Sequence, residues 1–383
     1  MKKIKLLIVT DSFLPRRDGV VRFLSEMIPR LQENFVITVI CPDYKEDNVS
    51  LPGVETIRIL KTKYYLGDYR IAKFAPFKML KYIRKADIVF SQDLAPIGGL
   101  GIFLAQRLRK KTVSFIHTIE WEIFPKALGK SILRKYAYPL SRMFAKYLHS
   151  HCTELIVPSE RIADMLIWEG IKTPKTIINL GVDTKKFKPL EDVDLREEQR
   201  TKIGVGKKDL LIGYHGRISR EKSVLTLVRA FVKLRKRHSH LKLLIVGNGI
   251  PSIVNQIKKQ PGVIYLPATD KVEDLLPLMD IYCLPSLIET TSLTTLEAMS
   301  TELPVVCSPV GFVKDYVKQD VNGMFFKTKN SFSLAQELEK LIGHKHFREI
   351  LGKNARETVV EQFDWDNTAT KMMDFFKGLT YTR

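Results

Sequence analysis

The stretch IYCLPSLIETTSLTTLEAMSTELPVV, residues 281–306, decides the fold of this chain. A short apolar run from Asp280 to Pro285 ends at a proline and predicts a buried strand. After a loop, apolar residues recur at helical spacing from Leu293 to Met299, and Leu303 to Val306 is a second apolar strand. Strand, loop, helix and strand in this order predict the βαβ unit of a parallel sheet.

The start of this helix has the features of an anion site. Ser292 is a favourable N-cap residue, and the first amides of a helix have no partner within it. We therefore expect the N–H groups of Leu293, Thr294 and Thr295 to point back at the loop. Open α/β sheets bind ligands at the carboxyl ends of their strands, where this helix begins.

Two glutamates flank the predicted anion site. Glu289 lies in the loop and Glu297 in the helix, with seven residues between them. A phosphate bound at the helix start would leave one carboxylate near a sugar on one side and the other near a ribose. A pair of glutamates at this spacing is a weak signal, but the surrounding residues PS..ET..LT.LEAM make it specific.

This motif resembles the E-x7-E signature of retaining glycosyltransferases of family 4, including diacylglycerol glucosyltransferases and phosphatidylinositol mannosyltransferases. The resemblance implies an α/β protein with the GT-B fold, in which two Rossmann-like domains face a central cleft. Residues 1–190 would form the acceptor-binding domain and residues 191–360 the nucleotide-sugar-binding domain. Residues 361–383 would form a helix that crosses back to the first domain. The chain departs from the pattern at Thr291 and Ser292, where many relatives have an aromatic residue and a glycine.

The composition is that of a globular protein with an unusual charge. The chain has 383 residues and a net charge of +20, of which +13 falls in residues 51–150. Such a surplus indicates an anionic partner, either a membrane, a nucleic acid or an acidic substrate. No helix-turn-helix, RRM or zinc-finger pattern is present, which argues against nucleic acid. The four cysteines are widely spaced, so we expect free thiols in a reducing cytosol.

The first loop of the chain, TDSFLPRRDGVV, carries Gly19 just before a predicted helix. A glycine there lets the backbone approach a ligand, although an ordinary turn glycine is an equally good interpretation of the residue alone. The loop is similar to openings of lipid-directed family 4 members, in which it faces the diphosphate and the acceptor. Arg16 and Arg17 lie in this loop.

His117 follows a predicted strand, Thr112 to Ile116, at its carboxyl end. A lone histidine is more often structural than functional. The segment His117-Thr118, with Glu120 and Glu122, resembles the HT..E segment of diacylglycerol glucosyltransferases. In that family the histidine contacts the donor sugar, and the resemblance assigns this role to His117.

Arg217 and Lys222 lie at another strand-to-helix turn, in HGRISREKS. Most arginines and lysines are only solvated surface charges, but two cations at such a turn suit a diphosphate. The segment resembles the GR...EK motif of the family, whose arginine and lysine hold the donor diphosphate.

Residues 126–149 predict a basic amphipathic segment that Pro139 breaks or kinks into two helices. The basic residues recur at multiples of four and are Lys126, Lys130, Arg134, Arg142 and Lys146. The common explanation is a surface helix that packs on its own core and solvates its basic face. The alternative is an interfacial helix on anionic lipid, and the lack of acidic residues between Ile123 and Thr153 favours it.

Together these residues predict an enzyme that transfers a hexose from a nucleotide sugar, UDP-glucose by resemblance, to a glycerolipid such as diacylglycerol. His117, Glu289, Arg217 and Lys222 would be catalytic, and Glu297 would bind the ribose. We expect no metal and no cofactor, because no DxD-like motif occupies a plausible metal position. We expect a monomer or weak oligomer in the cytoplasm, bound to the inner face of the membrane. The alternatives are transfer of mannose or another hexose to a phosphoinositide or polysaccharide, and a non-catalytic basic protein that binds lipid or nucleic acid.

Overall fold

A computed structural model describes residues 3–16, 18–66, 69–121, 131–289 and 291–381. The chain forms two compact units of comparable size. Unit 1 comprises Met1–Leu180 and Asp366–Arg383, and unit 2 comprises Gly181–Trp365. Each unit is an α/β domain around one parallel sheet, so the predicted fold class is confirmed.

Unit 1 alternates strands and helices along most of its length. The first elements are β1 (Ile4–Val9), α1 (Gly19–Leu31), β2 (Phe35–Pro42), β3 (Glu55–Ile59), β4 (Lys61–Leu66), β5 (Tyr69–Ala72), α2 (Pro76–Ile83) and β6 (Ile88–Ser91). They are followed by α3 (Pro96–Arg107), β7 (Lys111–Phe115), α4 (Ser131–Ser150), β8 (Glu154–Val157), α5 (Glu160–Trp168) and β9 (Lys175–Ile177).

The main sheet of unit 1 has the strand order β3-β2-β1-β6-β7-β8-β9, and β4 and β5 form a separate antiparallel pair. Its central strands are apolar runs because helices cover both faces, and the buried residues Leu6 to Val9 of β1 illustrate this. The chain order reverses between β1 and β6. This reversal is the topological switch point, where a crevice for a ligand opens at the carboxyl ends of the strands.

Unit 2 has the same plan. Its elements begin with α6 (Val193–Lys202), β10 (Leu210–His215), α7 (Val224–Arg235), β11 (Leu241–Val246), α8 (Pro251–Lys258), β12 (Val263–Leu266) and β13 (Ile281–Leu284). They continue with α9 (Leu293–Ser300), β14 (Val305–Cys307), α10 (Val313–Tyr316), β15 (Gly323–Phe325), α11 (Ser331–Gly343) and α12 (Lys345–Gln362). The last helix of the chain is α13 (Trp365–Tyr381).

The sheet of unit 2 has the order β12-β11-β10-β13-β14-β15, with every neighbouring pair parallel. The decisive stretch therefore folds as expected, with β13, α9 and β14 as the strand, helix and strand. The chain order reverses between β10 and β13, which places a second switch point beside Arg217, Lys222 and Glu289.

Residues 181–190 group with unit 2, although the sequence assigned them to the first domain. Backbone hydrogen bonds explain this: the Val182 N–H donates to the Phe363 carbonyl over 2.6 Å, and the Trp365 N–H donates to the Val182 carbonyl over 3.3 Å. From Asp366 onward the chain belongs to unit 1, where the Phe376 ring packs edge-on against Phe90 at 5.1 Å.

Two local findings concern α4 and the cysteines. The structure places Pro139 inside one continuous helix, so the predicted division into two helices is wrong. A proline within a helix removes one backbone hydrogen bond, and the remaining turns hold this helix together. Cys41, Cys152, Cys283 and Cys307 are all buried free thiols. None of the helices in the described ranges has both the length and the apolar character needed to cross a bilayer.

Candidate active site

The loop after β10 carries the predicted diphosphate-binding residues. Gly216 has a φ of 136°, which only glycine adopts readily. Gly247 lies so close that a Cβ atom there would be 1.9 Å from the Gly216 carbonyl oxygen. The turn at Gly247 therefore supports the loop that presents Arg217, and this close approach requires glycine.

Lys222 and Glu289 are brought together although 66 residues separate them in sequence. The Lys222 Nζ atom lies 2.6 Å from Glu289 Oε1, and the Glu289 side chain is only 8% exposed. A backbone hydrogen bond from the Leu287 N–H to the Glu221 carbonyl, 2.7 Å long, ties the two loops beside this pair. Ser223, which follows Lys222, has a left-handed backbone with φ of 49°, an uncommon conformation that occurs often at ligand sites.

Arg217 is an exposed cation of this loop. Its guanidinium forms an ion pair with Glu221 over 2.9 Å, and its side chain is 60% exposed. An ion pair with that exposure is weak, so the guanidinium can exchange Glu221 for another anion at small cost. The two predicted diphosphate ligands therefore differ, because Lys222 pairs with a buried carboxylate and the ion pair of Arg217 with Glu221 is exposed.

The start of α9 differs in two respects from the prediction. Ser292 is the N-cap residue, but its hydroxyl bonds to the hydroxyls of Thr294 and Thr295, at 3.1 Å and 2.9 Å, and caps no amide. The Thr295 N–H donates to the Ser292 carbonyl over 3.0 Å, so it is not available to a ligand. Among the described residues, the N–H groups of Leu293 and Thr294 have no partner, and these two can bind an anion.

Glu297 lies at the second switch point and pairs with His215, a residue that the sequence analysis missed. His215 Nε2 is 2.7 Å from Glu297 Oε2, and the side chains are 5% and 8% exposed. The His215 Nδ1 atom is buried and has no partner in the described part of the chain. The sequence did contain a signal for His215, because this histidine is the last residue of strand β10. His117 likewise lies just after the end of strand β7.

His117 lies in unit 1 at the carboxyl end of β7, in a packed and uncharged environment. Its ring stacks on Phe115 with centroids 4.2 Å apart and meets Phe23 edge-on at 5.0 Å. Its Nε2 atom is 2.9 Å from Oε1 of Gln92, which follows β6. Burial lowers the pKa of His117 to about 3, so the imidazole is neutral at physiological pH.

Two further carboxyl groups, Asp11 and Asp93, lie at the first switch point. The Asp11 side chain accepts hydrogen bonds from the N–H groups of Ile97 (2.7 Å) and Gly98 (3.1 Å) at the start of α3. Burial and the neighbouring Asp93 carboxylate raise the pKa of Asp11 well above its ordinary value. Burial also raises the pKa of Asp93. Neither residue has a role predicted from the sequence.

Gly19 begins α1, and an added Cβ atom there would meet nothing within 4 Å, so the space around it is open. The amides that follow it are not free in this structure, because the Asp18 carboxylate accepts from the Val20 and Val21 N–H groups over 3.0 Å each. An anion at this helix start would therefore have to displace Asp18.

Helix α4 exposes large apolar side chains, which are not packed on a core as the common explanation of its pattern would have them. Its buried side chains include the small residues Ala137 and Ala145. Its exposed side chains are large, namely Tyr136, Tyr138, Leu140, Met143, Phe144 and Tyr147. Arg142 forms an ion pair with Glu169, and Lys146 is exposed. The side chain of Arg134 is not described, and Arg17, Glu122, Lys126 and Lys130 lie outside the described residues.

This arrangement can bind a diphosphate and sugar hydroxyls. Lys222 and Arg217 on the loop after β10, and the two free amides of α9 after β13, supply the positive charge. Glu289 and Glu297 supply acceptors for hydroxyl groups at 8% exposure each, where hydrogen bonds compete little with water. In the described ranges, no group of three or more His, Cys, Asp or Glu side chains is placed to hold a metal ion.

Comparison with known proteins identifies the family of each unit. The family model Glycosyltransferase Family 4 matches residues 17–186, and the model Glycosyl transferases group 1 matches residues 195–358. The matched ranges fall almost entirely in unit 1 and unit 2 respectively.

Relatives match over nearly the whole chain. The chain is 26% identical to the Alpha-monoglucosyldiacylglycerol synthase of Acholeplasma laidlawii, covering 92% of each protein. It is 24% identical to the GDP-mannose-dependent alpha-(1-6)-phosphatidylinositol monomannoside mannosyltransferase of Mycobacterium tuberculosis, covering 98% of each. The crystal structure of Anabaena HepE in complex with UDP has a TM-score of 0.81 and 16% identity, covering 98% of this chain and 100% of that one. The chain therefore belongs to the glycosyltransferases, with a family 4 N-terminal domain and a group 1 C-terminal domain, and it has the GT-B fold.

Proposed function

We propose that this protein is a retaining glucosyltransferase that moves glucose from UDP-glucose to diacylglycerol or a similar glycerolipid at a membrane surface. The observation that carries the proposal is the Lys222–Glu289 pair beside the free amides of α9. It joins a cation for the diphosphate with a buried acceptor for sugar hydroxyls. The relative that acts on diacylglycerol, by its name a monoglucosyldiacylglycerol synthase, suggests the acceptor.

The roles follow from the chemistry of each group. Negative charge builds on the departing diphosphate, and Lys222 and Arg217 stabilise it without reorganisation of water. Because these cations and the α9 amides supply the positive charge, we propose that no metal ion is required. Turnover should therefore survive removal of divalent ions by EDTA, and a loss of turnover that Mg²⁺ restores would contradict this part of the proposal.

Retention of the anomeric configuration is proposed to occur by front-face displacement. Glu289 is engaged by Lys222 in this structure, which suits a residue that orients hydroxyl groups and does not attack the sugar. The leaving phosphate would help to take the proton of the acceptor hydroxyl. NMR analysis of the product tests this, since an α-linked product from the α-linked donor supports retention and a β-linked product excludes it.

The acceptor is proposed to be a lipid because α4 presents six large apolar or aromatic side chains to solvent. The same helix carries Lys135 and Lys146, which are exposed, and contains no acidic residue. Exposed apolar surface with basic neighbours fits an anionic lipid surface better than water. Each lysine or arginine near such a surface contributes about 1 kcal/mol, so docking should be reversible and sensitive to salt.

The donor is identified by a hydrolysis panel. The purified protein is incubated with UDP-glucose, UDP-galactose, GDP-mannose and UDP-N-acetylglucosamine without acceptor, and release of the nucleotide is measured. We expect UDP-glucose to be consumed fastest. Preferential consumption of GDP-mannose would favour the second candidate, transfer of mannose to a phosphoinositide, which the mycobacterial relative supports.

Binding of the protein to a membrane is tested by sedimentation with lipid vesicles. Replacement of Leu140, Met143 and Phe144 by serine, together with Lys146 by glutamine, should reduce binding to anionic vesicles at least tenfold and leave hydrolysis in solution unchanged. A control variant removes an exposed charge from unit 2 by changing Lys207 to glutamine. The proposal for α4 fails if the α4 variant and the control sediment equally, and the exposed aromatic residue Phe77 of α2 would then be the next docking surface to examine.

A further inference from the structure

The contact between Gln92 and His117 is the basis of a further inference, which rests on the proposed function. Gln92 follows β6, and its backbone N–H still pairs with the neighbouring strand by donating to the Val9 carbonyl over 3.1 Å. Its side chain is therefore fixed at the first switch point. The residue is only 1% exposed, and its Oε1 atom contacts His117 Nε2 over 2.9 Å.

The other end of the same side chain has no partner. The Gln92 Nε2 atom is buried and makes no hydrogen bond to any described residue. A buried amide without a hydrogen-bond partner is unfavourable, so such a group calls for an explanation. A ligand with an oxygen acceptor at the carboxyl ends of β6 and β7 would satisfy it.

The contact also determines which nitrogen of His117 carries the proton. A carboxamide oxygen only accepts hydrogen bonds, so Nε2 of a neutral imidazole must donate to it. The proton is then on Nε2, and Nδ1 keeps a lone pair. The packing of the ring against both Phe115 and Phe23 restrains its rotation, so the ring orientation is held by these contacts as well as by Gln92.

We propose that Gln92 is a positioning residue for the transfer reaction. Gln92 fixes His117 as the Nε2–H tautomer, so that Nδ1 of His117 accepts a hydrogen bond from a hydroxyl of the transferred sugar. The side-chain amide N–H of Gln92 donates a hydrogen bond to the same sugar. This assignment favours neutral hexoses. A sugar that places a carboxylate against Nδ1 has no proton to give to this atom and would be repelled by its lone pair.

The tautomer is measured in the protein without any donor, by NMR of the protein labelled with ¹⁵N in its histidines. The His117 signals are assigned by their loss in His117→Gln. We expect the Nε2–H tautomer in the parent and a shift toward a mixture of tautomers in Gln92→Met, which keeps the volume and removes both polar atoms. An Nδ1–H tautomer in the parent, which a reversed Gln92 amide would give, or an identical tautomer in Gln92→Met, would overturn the proposal.

Kinetics provide a second test. Loss of one such hydrogen bond corresponds to about a tenfold decrease in kcat/KM for Gln92→Met. In Gln92→Glu the added carboxylate stabilises the imidazolium, which carries a proton on both nitrogens and cannot accept a hydrogen bond. We expect kcat/KM of this variant to fall as the pH drops from 8 to 5, with no such fall in the parent.

A purely structural role for Gln92 would lower activity at every pH equally, and profiles of the same shape for Gln92→Glu and parent would contradict the proposal. Failure of the proposed function is distinguishable from failure of this inference. In that case no donor would be consumed, yet the tautomer of His117 would still respond to substitution of Gln92.

Discussion

Replacement of Lys222 by alanine should damage both catalysis and stability, for two separate reasons. Lys222 lies 2.6 Å from Glu289, whose side chain is 8% exposed, whereas the lysine itself is 23% exposed. Removing the lysine leaves the carboxylate buried without its partner. Breaking a buried ion pair in this way costs about 3 kcal/mol or more. For a domain of this size, about 3 kcal/mol corresponds to a decrease in the melting temperature of roughly 6–12 °C.

The loss of activity has a different origin and a different magnitude. Removing one group that stabilises charge in the transition state lowers turnover about a hundredfold or more. Arg217→Ala is the matched variant, since its ion pair with Glu221 is exposed and contributes at most about 1 kcal/mol. We therefore expect Arg217→Ala to lose a similar share of turnover with little change in melting temperature.

A double variant separates the two effects. In Lys222→Met combined with Glu289→Gln, the uncompensated charge is gone, so the melting temperature should return to within a few degrees of the parent while turnover stays low. Melting is followed by differential scanning fluorimetry, and turnover by release of UDP. The reasoning is refuted if Lys222→Ala melts with the parent, or if the double variant melts as low as Lys222→Ala.

Further predictions concern the other carboxylates. Glu289→Gln should reduce turnover with little loss of UDP affinity, and Glu297→Ala should chiefly weaken UDP binding, which isothermal titration with UDP measures; the opposite pattern would reverse the two roles. His215→Phe should weaken UDP binding less than Glu297→Ala does, since it removes only the partner of the carboxylate. The raised pKa of Asp11 means that its contribution to stability is present at low pH and is lost as the pH rises through that pKa. Asp11→Asn keeps an acceptor for the Ile97 and Gly98 amides and cannot ionise. Urea unfolding should therefore show that this variant is more stable than the parent at pH 8 but not at pH 4. A variant less stable than the parent at pH 8 would contradict the raised pKa of Asp11.

The elements around the decisive stretch could be predicted from the sequence because they depend on local patterns. Both faces of a parallel sheet are covered by helices, so its strands are continuous apolar runs that end at turn residues. The strand predicted from Asp280 to Pro285 is β13, Ile281–Leu284, and the predicted helix is α9, Leu293–Ser300. The family resemblance, which rested on this stretch, is confirmed by the models that match the two units.

The partners of the site residues could not be predicted, because they depend on how distant segments pack. The contacts of Lys222 with Glu289 and of His215 with Glu297 join residues far apart in sequence. The use of the Thr295 amide within its own turn depends on backbone angles that a pattern of residue types does not specify. A histidine at the end of a strand can be identified in the sequence. The sequence does not show whether that histidine contacts a carboxylate, as His215 does, or a carboxamide, as His117 does.

Helix α4 shows a further property that the sequence could not predict, namely which of its faces is exposed. An amphipathic pattern predicts that α4 has an apolar face but does not tell whether that face meets the core or solvent. In the structure Ala137 and Ala145 pack inward and Leu140 and Met143 are exposed, at 62% and 64%. The small residues allow α4 to pack closely against the rest of unit 1. The larger apolar residues lie on its outer face, where they are available to another surface. The sequence contains both the small and the large apolar residues, and only the packing shows which of them are buried.

The most direct test of the account is to supply UDP-glucose, labelled in the glucose, to the protein with anionic vesicles that contain diacylglycerol. The account predicts that label enters the organic phase as an α-glucosyl diacylglycerol, that Glu289→Gln lowers this rate about a hundredfold, and that omission of diacylglycerol abolishes the product while slow hydrolysis continues. Absence of both hydrolysis and a labelled lipid, with a protein that shows a cooperative unfolding transition, would contradict the account.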